Sequence, residues 1–377
     1  MAKRPSKAKT ATDEPALGGD GAPVKVPPPL SLEAVIGQTR AATVLRQAIS
    51  SGRMHHAWIF FGPVGVGKHT AARALAAELL TQGDATGEAK GLLEQGTHPD
   101  LHLVSKELAA VSRDQKTRDL KQTTIADKVL DEFLIEPAAR SRVVRGPSAI
   151  GKVFIVDEAH LLMDKGQNTL LKLIEEPPEG TVLILVTHDE QRLLPTVRSR
   201  CQRVGFVPLT DTGMQQWLAS RQMTLPEEQR VWLTSYASGS PGMLVSAMEN
   251  GLYAWHQTLA PMLDALEMQP LRAASLGPAM AKCVDDRASA VVKANPEASK
   301  ETANRVWGKR MIAFVAERIR KQLSVASRGK DFARAERLAR QLDACFEAER
   351  HLDSNVLPGA VLDNLSAQLV SPGGIVV

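Results

Sequence analysis

The chain has 377 residues, 44% of them hydrophobic but only 4% aromatic, so it is long enough for two or three domains whose cores must be built from Leu, Val, Ala and Ile. A net charge of +4 and a pI near 8.9 suit a nucleic-acid-handling protein and an ordinary soluble one equally. Three scattered cysteines, Cys201, Cys283 and Cys345, with no CxxC pair, exclude a zinc ribbon or disulfide framework and fit a reducing cytoplasm, and no apolar run is long enough to span a bilayer.

Residues 1–30 are rich in Lys, Pro, Gly and Ala with no hydrophobic segment behind the basic ones. They form no signal peptide and are expected to be a disordered, solubilising tail. Order begins near Ser31. Helical periodicity runs from about Gln38 to Ser50, and Ala57 to Phe61 (AWIFF) is a short apolar strand. A Gly-rich loop follows, then an Ala/Leu-rich helix from Lys68 to about Thr81. Composition loosens over 82–96, Asp100 to Ser105 is a strand, and 106–121 is a polar loop. Thr124 to Pro137 is an amphipathic helix stopped by Pro137, and Arg140 to Gly151, with Arg142 and Arg145, is a mobile loop.

Next come a buried strand ending in two acids (KVFIVDE), a helix closed by Pro177 and Pro178, a buried strand TVLILVT, and a last strand from Gln202 to Pro208. Continuous apolar strands alternating with helices imply a parallel sheet covered on both faces. Beyond Leu209 the pattern is helical to about Leu369, with breaks at 238–242 and 269–275.

Gly62-Pro63-Val64-Gly65-Val66-Gly67-Lys68 lies between strand and helix, the context of a phosphate-binding loop. Glycines let backbone N–H groups turn around an anion, the helix N-terminus adds its dipole, and Lys68 reaches the phosphates. The next position should offer Mg²⁺ a hydroxyl. It is His69, a poor ligand for a hard cation. Thr70 comes one residue late, about 100° around the helix. Phosphate binding is therefore expected and metal placement is not. Asp157 and Glu158, delivered at a strand end, suit holding a metal or its water and orienting the attacking water. Thr187 ends the adjacent strand, either as a γ-phosphate sensor or as a satisfied polar strand end. His160 and His188 have no partners at ligand spacing, so no metal site is expected. Arg200 follows the last core strand but one, either as a surface residue or as an arginine finger for a neighbour's nucleotide. Basic residues from Lys309 to Arg340 are expected to form mostly a solvated face, the alternative being that some of them approach DNA.

Together, Val35-Ile36-Gly37-Gln38, the phosphate loop, Asp157-Glu158-Ala159-His160, Asn168-Thr169-Leu170-Leu171-Lys172 with Glu175-Glu176-Pro177-Pro178, Thr187 and Ser199-Arg200-Cys201 closely resemble bacterial DNA polymerase III clamp-loader subunits, AAA+ proteins related to replication factor C. The resemblance is strong over Ser31 to Met248 and weak over the helical remainder ending near Asn355-Val356. It implies an α/β AAA+ module at 31–208, a helical lid at 209–250 and an all-α oligomerising collar at 251–377. It implies an ATP or ADP site formed by Val35, Ile36, Gly62, Gly65, Gly67, Lys68, His69, Thr70, Asp157 and Thr187, with Glu158 vestigial and Arg200 acting in trans.

The family's catalytic subunits, gamma and tau, carry GK[ST], a second-sensor arginine and usually four zinc-binding cysteines. This chain has His69, and Gly242 where that arginine is expected, and it lacks the cysteines, so no zinc is expected. With His98-Pro99-Asp100-Leu101, these departures are similar to the delta-prime type of subunit. The resemblance then implies partners gamma or tau and delta, reaching the sliding clamp and primer-template DNA through the complex, with feeble ATP hydrolysis of its own. The alternatives are a gamma/tau-like motor that tolerates His69 and a non-replicative scaffold.

Overall fold

The computed structural model describes residues 30–120, 122–144, 148, 150–265, 273–294, 299–354 and 356–370. The expected tail apart from Leu30, Arg145, most of the break at 269–275, and Asn355 lie outside the described residues. The chain divides into two compact units. The first takes the described residues up to Thr224 and Ala237–Val245, and the second takes Leu225–Tyr236 and the described residues from Ser246 onward.

The first unit is built on five parallel strands: β1 (Ala57–Phe61), β2 (Leu101–Val104), β3 (Lys152–Val156), β4 (Thr181–Thr187) and β5 (Gln202–Gly205), in the order β2-β3-β4-β1-β5. The three central strands are the continuous apolar runs of the sequence. Every residue of β3 and β4 is buried. Alternate side chains supply opposite faces, as the pleat requires. Trp58, Phe60, Val153, Ile155, Ile184 and Val186 pack on one side with Leu75 and Leu79 of the helix α2 (Lys68–Leu80), while Ile59, Phe154, Val156, Leu183 and Leu185 pack on the other with Leu170 and Ile174. This is the α/β architecture expected from the sequence.

Strand β5 ends earlier than its expected limit at Pro208. Phe206 N–H still bonds Phe61 O (2.8 Å), but Val207 N–H turns to the Gln38 side chain (3.2 Å). The segment 106–121, expected as loop, holds a 3₁₀ turn (Lys106–Val111) and a short helix (Gln115–Arg118) capped by Asp114, whose carboxylate accepts from Thr117 N–H. A further helix, Glu88–Glu94, forms where composition loosens, because the Asp84 carboxylate gathers the amides of Thr86, Gly87 and Lys90 ahead of it.

Pro137 does not stop its helix. The helical path continues from Asp127–Leu130 through a π turn at Asp131–Ile135 into Glu136–Ala139. The wider turn takes up the local strain that a proline without N–H imposes on an α-helical ladder. The exposed end is instead closed by Lys152, only 5% exposed, whose ammonium donates to the carbonyls of Pro137 and Ala138 (2.9 Å each) and Arg140. The described part of the expected mobile loop is tied down. Buried Asp100 accepts from Val143 and Val144 N–H (2.8–3.1 Å), and Arg142 donates to Ser148 O (2.9 Å).

Among the described residues the second unit is entirely helical, with long helices at Leu252–Ala265, Ala273–Ala294, Lys300–Arg328, Phe332–Asp353 and Pro358–Val370. It gathers much of the sparse aromatic content: Trp232 stacks on Tyr236 (5.1 Å) and His256 (4.8 Å) and approaches Phe314. No described helix is long and apolar enough to cross a membrane.

Candidate nucleotide-binding site

The C-terminal ends of β1, β3 and β4 meet at one edge of the sheet, where ligands of open parallel sheets sit. β4 lies between the other two, with Phe61 of β1 paired to Thr187. From β1 the chain enters the phosphate loop, and Gly67 (φ +99°) starts α2 with no side-chain cap. The first amides of α2 therefore lack a side-chain acceptor, and the helix dipole favours an anion there. A Cβ at Gly67 would meet nothing within 4 Å. The rim beside it is open to a ligand.

Lys68 is 7% exposed, and its ammonium donates to Gly62 O (2.7 Å) and Pro63 O. The cation is folded back into its own loop. Burial pulls it from its ordinary 10.5 down to about 8, opposed by the Asp157 charge. The loop's positive charge is therefore lost as pH rises through 8. Nucleotide affinity should fall by up to about tenfold from pH 8 to 9, with proton uptake on binding above pH 8. Calorimetry in buffers of different ionisation enthalpy reads both; equal affinity at pH 7 and 9 without uptake would contradict it.

His69 sits at the second residue of α2 with Nδ1 3.8 Å from Asp157 Oδ2. Burial lowers its pKa, the Asp157 charge opposes this and Arg73 adds to it, so the ring is neutral at pH 7. The loop and the uncapped helix start fit a phosphate. They do not fit Mg²⁺ in the usual manner, since an imidazole stands between the helix start and the carboxylate where a hydroxyl oxygen is wanted. Thr70 supplies no substitute at that point of the helix. Asp157 Oδ1 accepts Glu158 N–H (2.9 Å). Glu158 adopts φ +48°, a left-handed conformation uncommon for Glu, and its carboxylate is held by Lys106 at 2.6 Å.

The loop is gripped from outside. Gln38, 3% exposed, donates to Val66 O (3.1 Å) and Val207 O (2.7 Å). Its neighbours Val35 and Ile36 are half-buried, Val35 against the core beside α2. Ser240 Oγ donates to Val64 O (2.8 Å) and Gly242 N–H to Gly65 O (2.9 Å). The two glycines touch so closely that a Cβ at Gly242 would lie 2.7 Å from Gly65 Cα. The position expected to carry an arginine has no room for a side chain.

Residues 37–210 match the family described as DNA polymerase III, delta subunit. The chain is 34% identical over 192 residues to subunit delta-prime of Pseudomonas aeruginosa, covering 49% of this chain and 53% of that one. It is 30% identical over 329 residues to subunit tau of Escherichia coli, covering 83% of this chain and 47% of that one. Over this region the chain is similar to subunits of DNA polymerase III, both delta-prime and gamma/tau. It spans about a third to a half of the length of the curated relatives it matches. A solved gamma subunit-related protein of Thermotoga maritima is similar at 16% identity and TM-score 0.41, covering 88% of this chain and 99% of that one, a likeness too loose to build on.

Two residues sit in unforeseen company. Thr187, 1% exposed, uses its hydroxyl locally: it donates to Asp189 O (2.9 Å) and accepts from Asp189 N–H (3.0 Å). Arg200 lies just past the short helix Pro195–Arg198, away from this chain's own loop contacts. It donates to Thr196 O (3.1 Å) and pairs with Glu175 of the Glu-Glu-Pro-Pro motif at 2.9 Å. His160 and His188 have their rings 3.9 Å apart, and no group of three or more metal-ligating side chains forms among the described residues. Sequence reading missed Lys106 and Glu175, the partners of Glu158 and Arg200. It also missed the Ser240 and Gly242 grip. Nothing in residue type or spacing announced these long-range contacts.

Proposed function

We propose that this chain is the delta-prime subunit of a bacterial clamp loader. In this reading it is a partner with a feeble nucleotide site of its own, and it offers Arg200 to the ATP site of a neighbouring gamma or tau subunit. Residues 31–208 serve as the AAA+ module, 209–250 as the lid and 251–377 as the collar that joins gamma or tau and delta, and through them the sliding clamp and primed DNA. The observation that carries the proposal is His69 facing Asp157 at the place of the metal-binding hydroxyl. The contact of Gly242 with Gly65 supports it, since it leaves no second-sensor side chain.

ATP or ADP, when bound, brings phosphates to the loop. The amides at the start of α2 would hold them, and Lys68 would exchange Gly62 O and Pro63 O for phosphate oxygens. Breaking those two bonds keeps affinity low. Lys106 holds the Glu158 carboxylate and would have to release it before Glu158 could orient an attacking water. The competing reading is a gamma/tau-like motor, favoured by Lys68 opening α2 after the loop and by Asp157 and Glu158 standing just past the end of β3. A steady-state assay on the purified chain separates them: turnover above about 1 s⁻¹, a modest enzyme rate, overturns the delta-prime reading. Co-purification with gamma and delta excludes an unrelated scaffold.

Nucleotide affinity of the native chain should not change when EDTA is added. His69→Thr restores the missing oxygen ligand, and its affinity should become Mg²⁺-dependent by roughly tenfold, about 1.4 kcal/mol. Equal EDTA sensitivity of the two proteins would show that His69 is not what excludes the metal.

A further inference from the structure

The feature that tells against Mg²⁺ at the nucleotide site is itself a pair of metal ligands. His69, the second residue of α2, places Nδ1 3.8 Å from Oδ2 of Asp157, just past the end of β3. That is beyond hydrogen-bonding reach. Two tetrahedral ligands with bonds of about 2.1 Å to one ion stand roughly 3.4 Å apart, so a small movement closes the pair on a metal. Neither group is spent elsewhere. The ring nitrogens of His69 make no hydrogen bond among the described residues, and Asp157 takes Glu158 N–H on its other oxygen, Oδ1. Both side chains are open to solvent in part, 41% for His69 and 36% for Asp157. Among the described residues no other histidine stands in ion-pair reach of a carboxylate. Two cations border the pair. The Lys68 ammonium is turned away to Gly62 O and Pro63 O, and Arg73, one turn along α2, sets its charge against His69. The protein alone offers the ion two ligands and no third. A phosphate at the start of α2 changes both terms: it offsets the cations and brings the missing oxygens.

We infer that His69 and Asp157 hold a borderline transition-metal ion, of the Zn²⁺ or Co²⁺ class, that binds only together with a nucleoside di- or triphosphate, resting on the reading of the loop as a nucleotide site. Imidazole nitrogen suits such ions, whereas Mg²⁺ asks for oxygen ligands in a near-ideal octahedron. Exchanging a hydroxyl for an imidazole therefore changes which metal accompanies the nucleotide. Indifference to EDTA in a buffer whose only divalent cation is Mg²⁺ is consistent with this.

The test titrates the full chain with ADP by calorimetry in three buffers, containing EDTA, Mg²⁺ or Co²⁺, beside His69→Ala and His69→Thr. His69 is partly exposed and unbonded, so both variants should melt with the parent. The native chain should bind ADP at least about tenfold more tightly with Co²⁺ than with Mg²⁺ or EDTA. The strong visible absorption of tetrahedral, nitrogen-ligated Co²⁺ should appear only when chain and ADP are both present, and Zn²⁺ should bleach it. His69→Ala should lose the tighter binding and the absorption, and His69→Thr should lose the absorption and turn to Mg²⁺. If ADP binds alike in all three buffers, or the gain with Co²⁺ survives in His69→Ala, the metal site does not exist and the nucleotide site stands. If ADP binds in none of them, the nucleotide site falls as well.

Discussion

On the proposed delta-prime reading, Arg200→Ala should leave the subunit folded and cut DNA-stimulated ATP hydrolysis when the variant is assembled with gamma, delta and the clamp. The side chain is 43% exposed and its partner Glu175 is 49% exposed. A surface pair of this kind is worth about 0–1 kcal/mol. Losing it barely touches stability, and releasing it costs little when a neighbour's nucleotide competes for the guanidinium. Planar donors delivered to charge developing on a transferred phosphoryl group are worth roughly 10³–10⁵ in rate at the site they serve. A complex with several sites dilutes that loss, so the comparison is internal: Lys68→Ala, which damages only this chain's own loop, should do much less. Glu175→Gln frees the guanidinium without removing it and should retain activity. Reconstitution with each variant, reading hydrolysis and clamp loading together, decides. A silent Arg200→Ala beside a crippling Lys68→Ala would make this chain a motor.

The elements visible in the sequence were those whose pattern is local. β3 and β4 announce themselves because burial on both faces demands an unbroken apolar run, and the phosphate loop because its glycines sit between strand and helix. The helix at 88–94 and the turns of 106–118 were not visible. The helices at 88–94 and 115–118 are each started by a single side chain, Asp84 or Asp114, gathering nearby amides within polar composition. Pro137 misled because a π turn absorbs what an α-helix would not. At the site, the chemistry-bearing residues were legible one by one, but their pairings were not. Glu158 with Lys106, Arg200 with Glu175 and Gly65 with Gly242 join residues 25 to 177 positions apart, and only the fold brings them together. The resemblance of His98-Pro99-Asp100-Leu101 acquires a physical reason the same way: Asp100, 2% exposed, anchors the amides of Val143 and Val144.

Gly62→Ala should destabilise the first unit severely, while Gly67→Ala should leave it folded and impair ligand binding instead. The phosphate loop's glycines face different surroundings. Gly62 has φ +137°, and a Cβ there would lie 2.2 Å from Phe206 O and 3.0 Å from Phe206 C. Those are backbone atoms at the end of β5, where Phe206 N–H bonds Phe61 O at 2.8 Å. They cannot rotate aside as a side chain would. Either the junction of β1 and β5 parts, or the loop withdraws and takes the start of α2 with it. Strain and a broken strand end together place the cost on the order of 3–5 kcal/mol. Gly67 has φ +99° and open space around its missing Cβ, so Gly67→Ala carries only the backbone penalty, about 1–2 kcal/mol. The methyl group would nevertheless stand on the open rim where a phosphate approaches. Urea unfolding, read on the first transition because a two-unit chain need not unfold in one step, should show a much lower midpoint for Gly62→Ala than for Gly67→Ala. Nucleotide titration of the folded Gly67→Ala protein should show loss of binding. Equal midpoints for the two variants would mean that the junction of Gly62 with Phe206 gives way freely and does not hold the loop.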